Sequence, residues 1–169
     1  GGLDDPLFWV ASGSYWAYMW ARGAALTQNR TTNVNIPVVG QSQFMDSPDR
    51  EPGVTMMDWR TGNATAKYWV LKLVSDTVAV GESEFRPTTS SDDATLFAQG
   101  IHGTSSNAQA KVVMLINKRN SPINVTVPGA TSGTIVDSKT HQSPPRTEAI
   151  NEAAPLVLGP YATAFVTVQ

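Results

Sequence analysis

The segment Val34–Gln43, VNIPVVGQSQ, constrains this chain more than any other. Its run Ile36-Pro37-Val38-Val39 reads as a buried strand, apolar on both faces, and such a strand needs neighbours on both sides. The regular segments flanking it are helical. Phe8, Trp9, Ser12, Tyr15, Trp16, Met19, Trp20 and Gly23 recur at three- and four-residue spacing. They predict one apolar stripe on a helix of about 18 residues. Asp4 or Asp5 is placed to cap its start, and Pro6 suits an early helical position. Residues 64–79 predict a second helix, with Ala66, Trp69, Val70, Leu73 and Val74 on one face and Thr61 or Asn63 as cap. Between strand and second helix runs the Pro-, Asp- and Gly-rich loop MDSPDREPG. Two helices around a single buried strand close no core, so residues 1–79 call for strands from elsewhere.

Near residue 80 the pattern changes. Short β-branched runs take over at 78–86, 94–102, 110–117, 122–127, 133–137, 155–158 and 161–168. The segments GTSSNAQ, NKRNSP, PGATSG and SKTHQSPPRTE separate them as turns. Short strands at close intervals with this turn chemistry predict an antiparallel β-sandwich over residues 80–169, the part expected to stand best by itself.

Composition excludes several classes. A net charge of −2 with no Lys/Arg run leaves no footprint for nucleic acid or an anionic membrane. No stretch nears the roughly 18 apolar residues of a membrane span. The chain has no cysteine, hence no disulfide or thiolate metal site. His102 and His141 lie in turn-rich segments with no carboxylate at ligand spacing, so neither a metal nor another cofactor is expected. Asn29-Arg30-Thr31, Asn63-Ala64-Thr65 and Asn124-Val125-Thr126 are N-glycosylation sequons, and they point to a secreted, extracellular or cell-wall protein.

Helix, strand, long loop, helix and sandwich, in that order, resemble the closing portion of a (β/α)8 TIM-barrel glycosidase. GSYWAYMWARGAALTQNRTTNVNIPVVGQSQF is similar to the last-but-one helix and eighth strand of heparanase-like and related clan A glycoside hydrolases. GNATAKYWVLKLVSDTVAVG resembles their closing helix, KVVMLINKRNSPINVTVPG a sandwich strand pair, and LVLGPYATAFVTV the final strand. The resemblance includes the heparanase/glucuronidase and the xylosidase/iduronidase types. It implies that GGLDDPLFW is the far end of the loop after the nucleophile-bearing seventh strand. The partner of residues 1–79 is then an N-terminal barrel segment on a preceding or separate polypeptide, and the substrate a carbohydrate.

Retaining glycoside hydrolysis needs two carboxyls about 5 Å apart. Asp4, Asp5, Asp46, Asp49, Glu51, Asp58 and Asp76 offer no such pair, so no catalytic residue is expected within this chain. A share of the sugar-binding wall is expected instead. Gln41 and Gln43 fall at the C-terminal end of the eighth strand, where barrel active sites form and where an amide both donates to and accepts from hydroxyls. Asp58-Trp59 offers a carboxylate for hydroxyls and a ring for a pyranose face; the plainer reading has Trp59 packing on the second helix and Asp58 capping the following turn. Three functions follow: the C-terminal segment of a secreted glycoside hydrolase, a non-catalytic structural or adhesive glycoprotein on the same scaffold, or a free-standing carbohydrate-binding sandwich.

Overall fold

A computed structural model describes residues 5–28, 36, 55–78, 83–86, 92, 94–103, 111–140, 143–151 and 154–169. The segment Val34–Gln43, apart from Ile36, lies outside these residues, as do Gln41, Gln43, Asn29 and the acidic residues Asp4, Asp46, Asp49 and Glu51. The elements are α1 (Pro6–Gln28), α2 (Ala66–Thr77), β1 (Ser83–Arg86), β2 (Leu96–Gly103), β3 (Lys111–Asn117), β4 (Ile123–Val125), β5 (Ala130–Val136), β6 (Arg146–Ala149), β7 (Leu156–Leu158) and β8 (Thr163–Val168). Antiparallel β-structure with two helices thus dominates.

Helix α1 starts where expected. Asp5 accepts from the Leu7 N–H through Oδ1 at 2.9 Å and from the Phe8 N–H through its carbonyl at 2.9 Å, filling two of the donors a helix start leaves open. Of the aromatic stripe, only Trp9 and Gly23 lie on the buried face. Trp9, Val10, Gly13, Ser14, Ala17 and Ala21 turn inward, while Phe8, Tyr15 and Met19 are exposed. The helix is apolar nearly all round, so periodicity of the large residues does not single out a face. Close approach does: a Cβ on Gly13 would sit 3.0 Å from the Lys67 Cα and 3.1 Å from the Val70 Cγ2. Small residues let α1 and α2 touch backbone to backbone.

Helix α2 is preceded by Thr65, not capped by Thr61 or Asn63. The Thr65 hydroxyl donates to the Thr55 carbonyl at 2.9 Å instead of capping α2. Its buried residues include Lys67, whose Nζ lies 5.7 Å from the centre of the Trp16 ring. Burial pushes the Lys67 ammonium below the ordinary lysine range. The folded chain therefore holds this proton less tightly than the unfolded one. That cost is present at neutral pH and is relieved as pH rises through the folded-state pKa towards that of free lysine. Stability should climb across this alkaline window, and Lys67→Met should flatten the climb. Urea unfolding of both proteins at neutral pH and at about pH 9.5 checks this; a difference between them that does not move with pH refutes it.

The main sheet has six strands in the order β1-β2-β3-β8-β5-β6, every neighbouring pair antiparallel. A smaller sheet pairs β4 with β7. Alternation gives the main sheet two apolar faces. Leu115, Ile135, Ala164 and Val166 meet Val125, Leu156 and Leu158 of the small sheet in the sandwich core. On the other face Ile101, Met114, Ile116, Val136 and Phe165 meet Trp9, Val10, Ala17, Ala21, Ala66 and Val70 of the helices. The order of layers is helices, six-stranded sheet, two-stranded sheet.

The helical part and the sandwich accordingly share one apolar cluster. A chain beginning at about residue 80 would leave Ile101, Met114, Ile116 and Phe165 bare, a contiguous apolar patch of the kind that drives association. Residues 80–169 alone are expected to bind a hydrophobic dye and to aggregate; a monodisperse, dye-silent product would refute this.

Strand β6 begins within SKTHQSPPRTE, which the sequence marks as a turn. Its residues Arg146, Thr147, Glu148 and Ala149 are polar or small and largely exposed. An edge strand solvated on most sides carries no apolar alternation to betray it.

Candidate functional site

Among the described residues, the places where buried polar groups gather include the following two. The first is the 55–65 loop ahead of α2. Met57 and Ala64 form a bridge, and the Asp58 N–H donates to the Asn63 carbonyl at 2.9 Å. The Asp58 carbonyl accepts from Gly62 at 2.7 Å, and Gly62 takes a φ of 72° that favours glycine. The Asp58 side chain is fully buried. Its Oδ1 accepts from the Arg60 N–H at 2.9 Å and from Nε at 3.2 Å, and its Oδ2 accepts from Nη2 at 3.3 Å.

The carboxylate thus closes the turn and grips the guanidinium, and the residue of this loop with charge at the surface is Arg60, 41% exposed. Sequence reading named Asp58 and passed over Arg60. The signal was the i,i+2 Asp–Arg spacing in a Gly-containing turn, where an Asx side chain bonds its own backbone two residues on. Trp59 is half-buried.

Trp59 also belongs to a set. The indole N–H groups of Trp20, Trp59 and Trp69 are buried and meet no acceptor among the described residues. All three lie in the part of the chain preceding residue 80. A buried donor left unmet costs about 1–3 kcal/mol, so three together in one region are a debt of the fold as it stands. On the outside of α1, Phe8, Tyr15, Met19 and Leu26 fall along one line of the helix, and Tyr15 is 58% exposed. Arg22 is the one charged residue of this helix.

The second place joins α1 to the sandwich. Asn117, the last residue of β3, is fully buried. Its Nδ2 donates to the carbonyls of Ser121 at 2.8 Å, Gly159 at 2.8 Å and Leu158 at 3.3 Å, and its Oδ1 accepts from the Arg119 N–H at 2.9 Å. The backbone N–H of Asn117 reaches the Ala162 carbonyl at 3.0 Å. One amide therefore ties the turn after β3 to the segment entering β8. There Tyr161 takes a φ of 53°, held by its N–H on the Arg119 carbonyl at 3.0 Å.

From α1, the Ser14 hydroxyl donates to the Tyr161 carbonyl at 2.6 Å and lies 2.7 Å from the Thr163 Oγ1, which is then the donor in that pair. Ser14→Ala should lower stability by about 1–2 kcal/mol through the buried carbonyl and hydroxyl it strands. Chemical unfolding followed by tryptophan fluorescence reads this.

Four of the acidic residues with described surroundings do architectural work. Asp5 starts α1, Asp58 holds Arg60, Asp76 pairs with Lys72 at 2.8 Å, and buried Asp137 pairs with Arg146. Among the described residues no group of His, Cys, Asp and Glu is gathered to hold a metal, and no helix is long and apolar enough to cross a membrane.

Sequence comparison bears on the sandwich. No curated protein matches the chain. Residues 99–166, which run from within β2 into β8 and leave both helices aside, match the family model of the D-apionate lactonase C-terminal immunoglobulin-like domain, and it is to this C-terminal domain that the sandwich is similar.

Proposed function

We propose that this chain is the C-terminal segment of a secreted hydrolase acting on a carbohydrate, a polysaccharide or glycoconjugate. In this reading α1, α2 and the Val34–Gln43 segment complete a (β/α)8 catalytic barrel whose nucleophile and acid/base lie on an N-terminal segment. The sandwich is the accessory domain that braces them. The observation that carries the reading is the unfinished surface of the helical part. One side of α1 is consumed by α2 and the sheet, while Phe8, Tyr15, Met19 and Leu26 stand bare on the other. The unmet indole donors of Trp20, Trp59 and Trp69 lie in the same part. A helix that spends apolar side chains on both sides is a middle layer. Similarity of the sandwich to a C-terminal domain of a lactonase agrees with a position behind a catalytic unit.

Gln41 and Gln43, which lie outside the described residues, are proposed for the sugar-facing wall on the sequence pattern alone. In the 55–65 loop, Trp59 and the Arg60 that Asp58 anchors are the groups able to reach a ligand. Protein captured from its source through the sandwich, assayed on aryl glycosides and sugar lactones and then peptide-mapped, tests the whole. Activity accompanied by upstream barrel peptides supports it. Inactive material with the upstream peptides present but the two carboxylates replaced favours a non-catalytic structural or adhesive glycoprotein. Absence of any upstream peptide sinks both.

A further inference from the structure

The two outer layers of the sandwich are finished differently. The helices cover the six-stranded sheet, and its edge strand β6 carries Arg146 and Glu148. The small sheet has only β4 and β7, and among the described residues neither has a second neighbour. Open edges with an apolar side chain beside them invite another chain to pair. Val157 of β7 is such a side chain, 54% exposed, and it stands directly across from Asn124 of β4.

Asn124 and Thr126 are exposed, while Val125 between them is buried in the sandwich core. The pleat therefore presents to solvent both residues that the N-glycosylation machinery reads and sends the middle one inward. The Asn63 sequon is held differently. The Asn63 carbonyl is taken by the Asp58 N–H, and the Thr65 hydroxyl is buried and donates to the Thr55 carbonyl.

The geometry points to Asn124 as an N-glycosylation site whose glycan lies over Val157 and guards the open edges of the β4–β7 sheet. This rests on the secretory reading above. The donor is a polyprenyl-pyrophosphate-linked oligosaccharide: the Asn124 amide nitrogen forms a bond to the sugar C1 and gives up one proton. The C1–oxygen bond breaks, and the lipid pyrophosphate leaves with the electron pair. A bulky, hydrated group placed there covers apolar surface and blocks strand addition from that side.

Glycopeptide mass spectrometry of the full chain from its source, before and after peptide N-glycosidase treatment, is the direct test. Asn124 is expected to be occupied. In a secretory host, Asn124→Gln and Thr126→Ala should lose the glycan and Thr126→Ser should keep it. The two bare variants should aggregate several-fold faster with an unchanged unfolding midpoint. A bare Asn124 beside an occupied Asn29 or Asn63 overturns this proposal alone. Absence of glycan at all three sequons overturns the secretory reading and the proposal with it. Occupancy with no change in aggregation on removal overturns the shielding role.

Discussion

Asn117→Ala is expected to cost about 3–4 kcal/mol of folding stability and about 10 °C in Tm. The amide is fully buried and makes four bonds, donating to Ser121, Leu158 and Gly159 and accepting from Arg119. Alanine removes them all, strands the carbonyls that Nδ2 served and leaves a void between them. Asn117→Asp separates donor from acceptor. It keeps an oxygen for the Arg119 N–H but offers nothing to the three carbonyls, and it adds a buried charge, so it should be at least as damaging as alanine. Guanidinium unfolding of the full chain reads both variants. If either lies within about 1 kcal/mol of the parent, the junction is not held by this residue.

The second large effect concerns contact between helices. Gly13→Val should destabilise by about 2–3 kcal/mol, because the new Cβ would stand 3.0 Å from the Lys67 Cα, a backbone atom that cannot swing aside. The gain in helix propensity over glycine is only a few tenths of a kcal/mol and does not offset it. Gly13→Ala meets the same clash with fewer atoms and about 1 kcal/mol of propensity in its favour, so its loss should be markedly smaller. By contrast, Gly133→Ala meets the tip of Ile150 at 2.9 Å, a flexible end that can move, and should be nearly neutral. Thermal unfolding of the three variants ranks them; a Gly13→Val protein as stable as Gly13→Ala would show that α1 and α2 have room to spare.

Much of the sandwich was legible beforehand, and the failures share a cause. Strands such as Lys111–Asn117 and Thr163–Val168 announce themselves because burial on one or both faces demands apolar runs of the right length. Strand β6 does not, since an edge pairs by backbone and leaves its side chains to water. On α1, size misled. Trp16 and Tyr15 draw the eye, yet Gly13 sets which side meets α2, because distance between backbones is governed by the smallest residues. At the 55–65 loop, the Asp58-Trp59 pair was visible, whereas the grip of Asp58 on Arg60 depends on a turn that no periodicity encodes. Hubs such as Asn117 are hardest to foresee. An asparagine at a strand end looks like a turn residue until the carbonyls converging on it are seen.

The bond from Ser14 to the entry of β8, with the apolar seam beside it, bears on how this region can be exchanged between proteins. A graft joined at residue 80 would set a stranger's helices on Ile101, Met114 and Phe165 and forfeit the serine link. One joined ahead of Pro6 carries helices and sandwich across as a single cassette and, among the described residues, leaves the Phe8–Leu26 side of α1 to be matched to its new host.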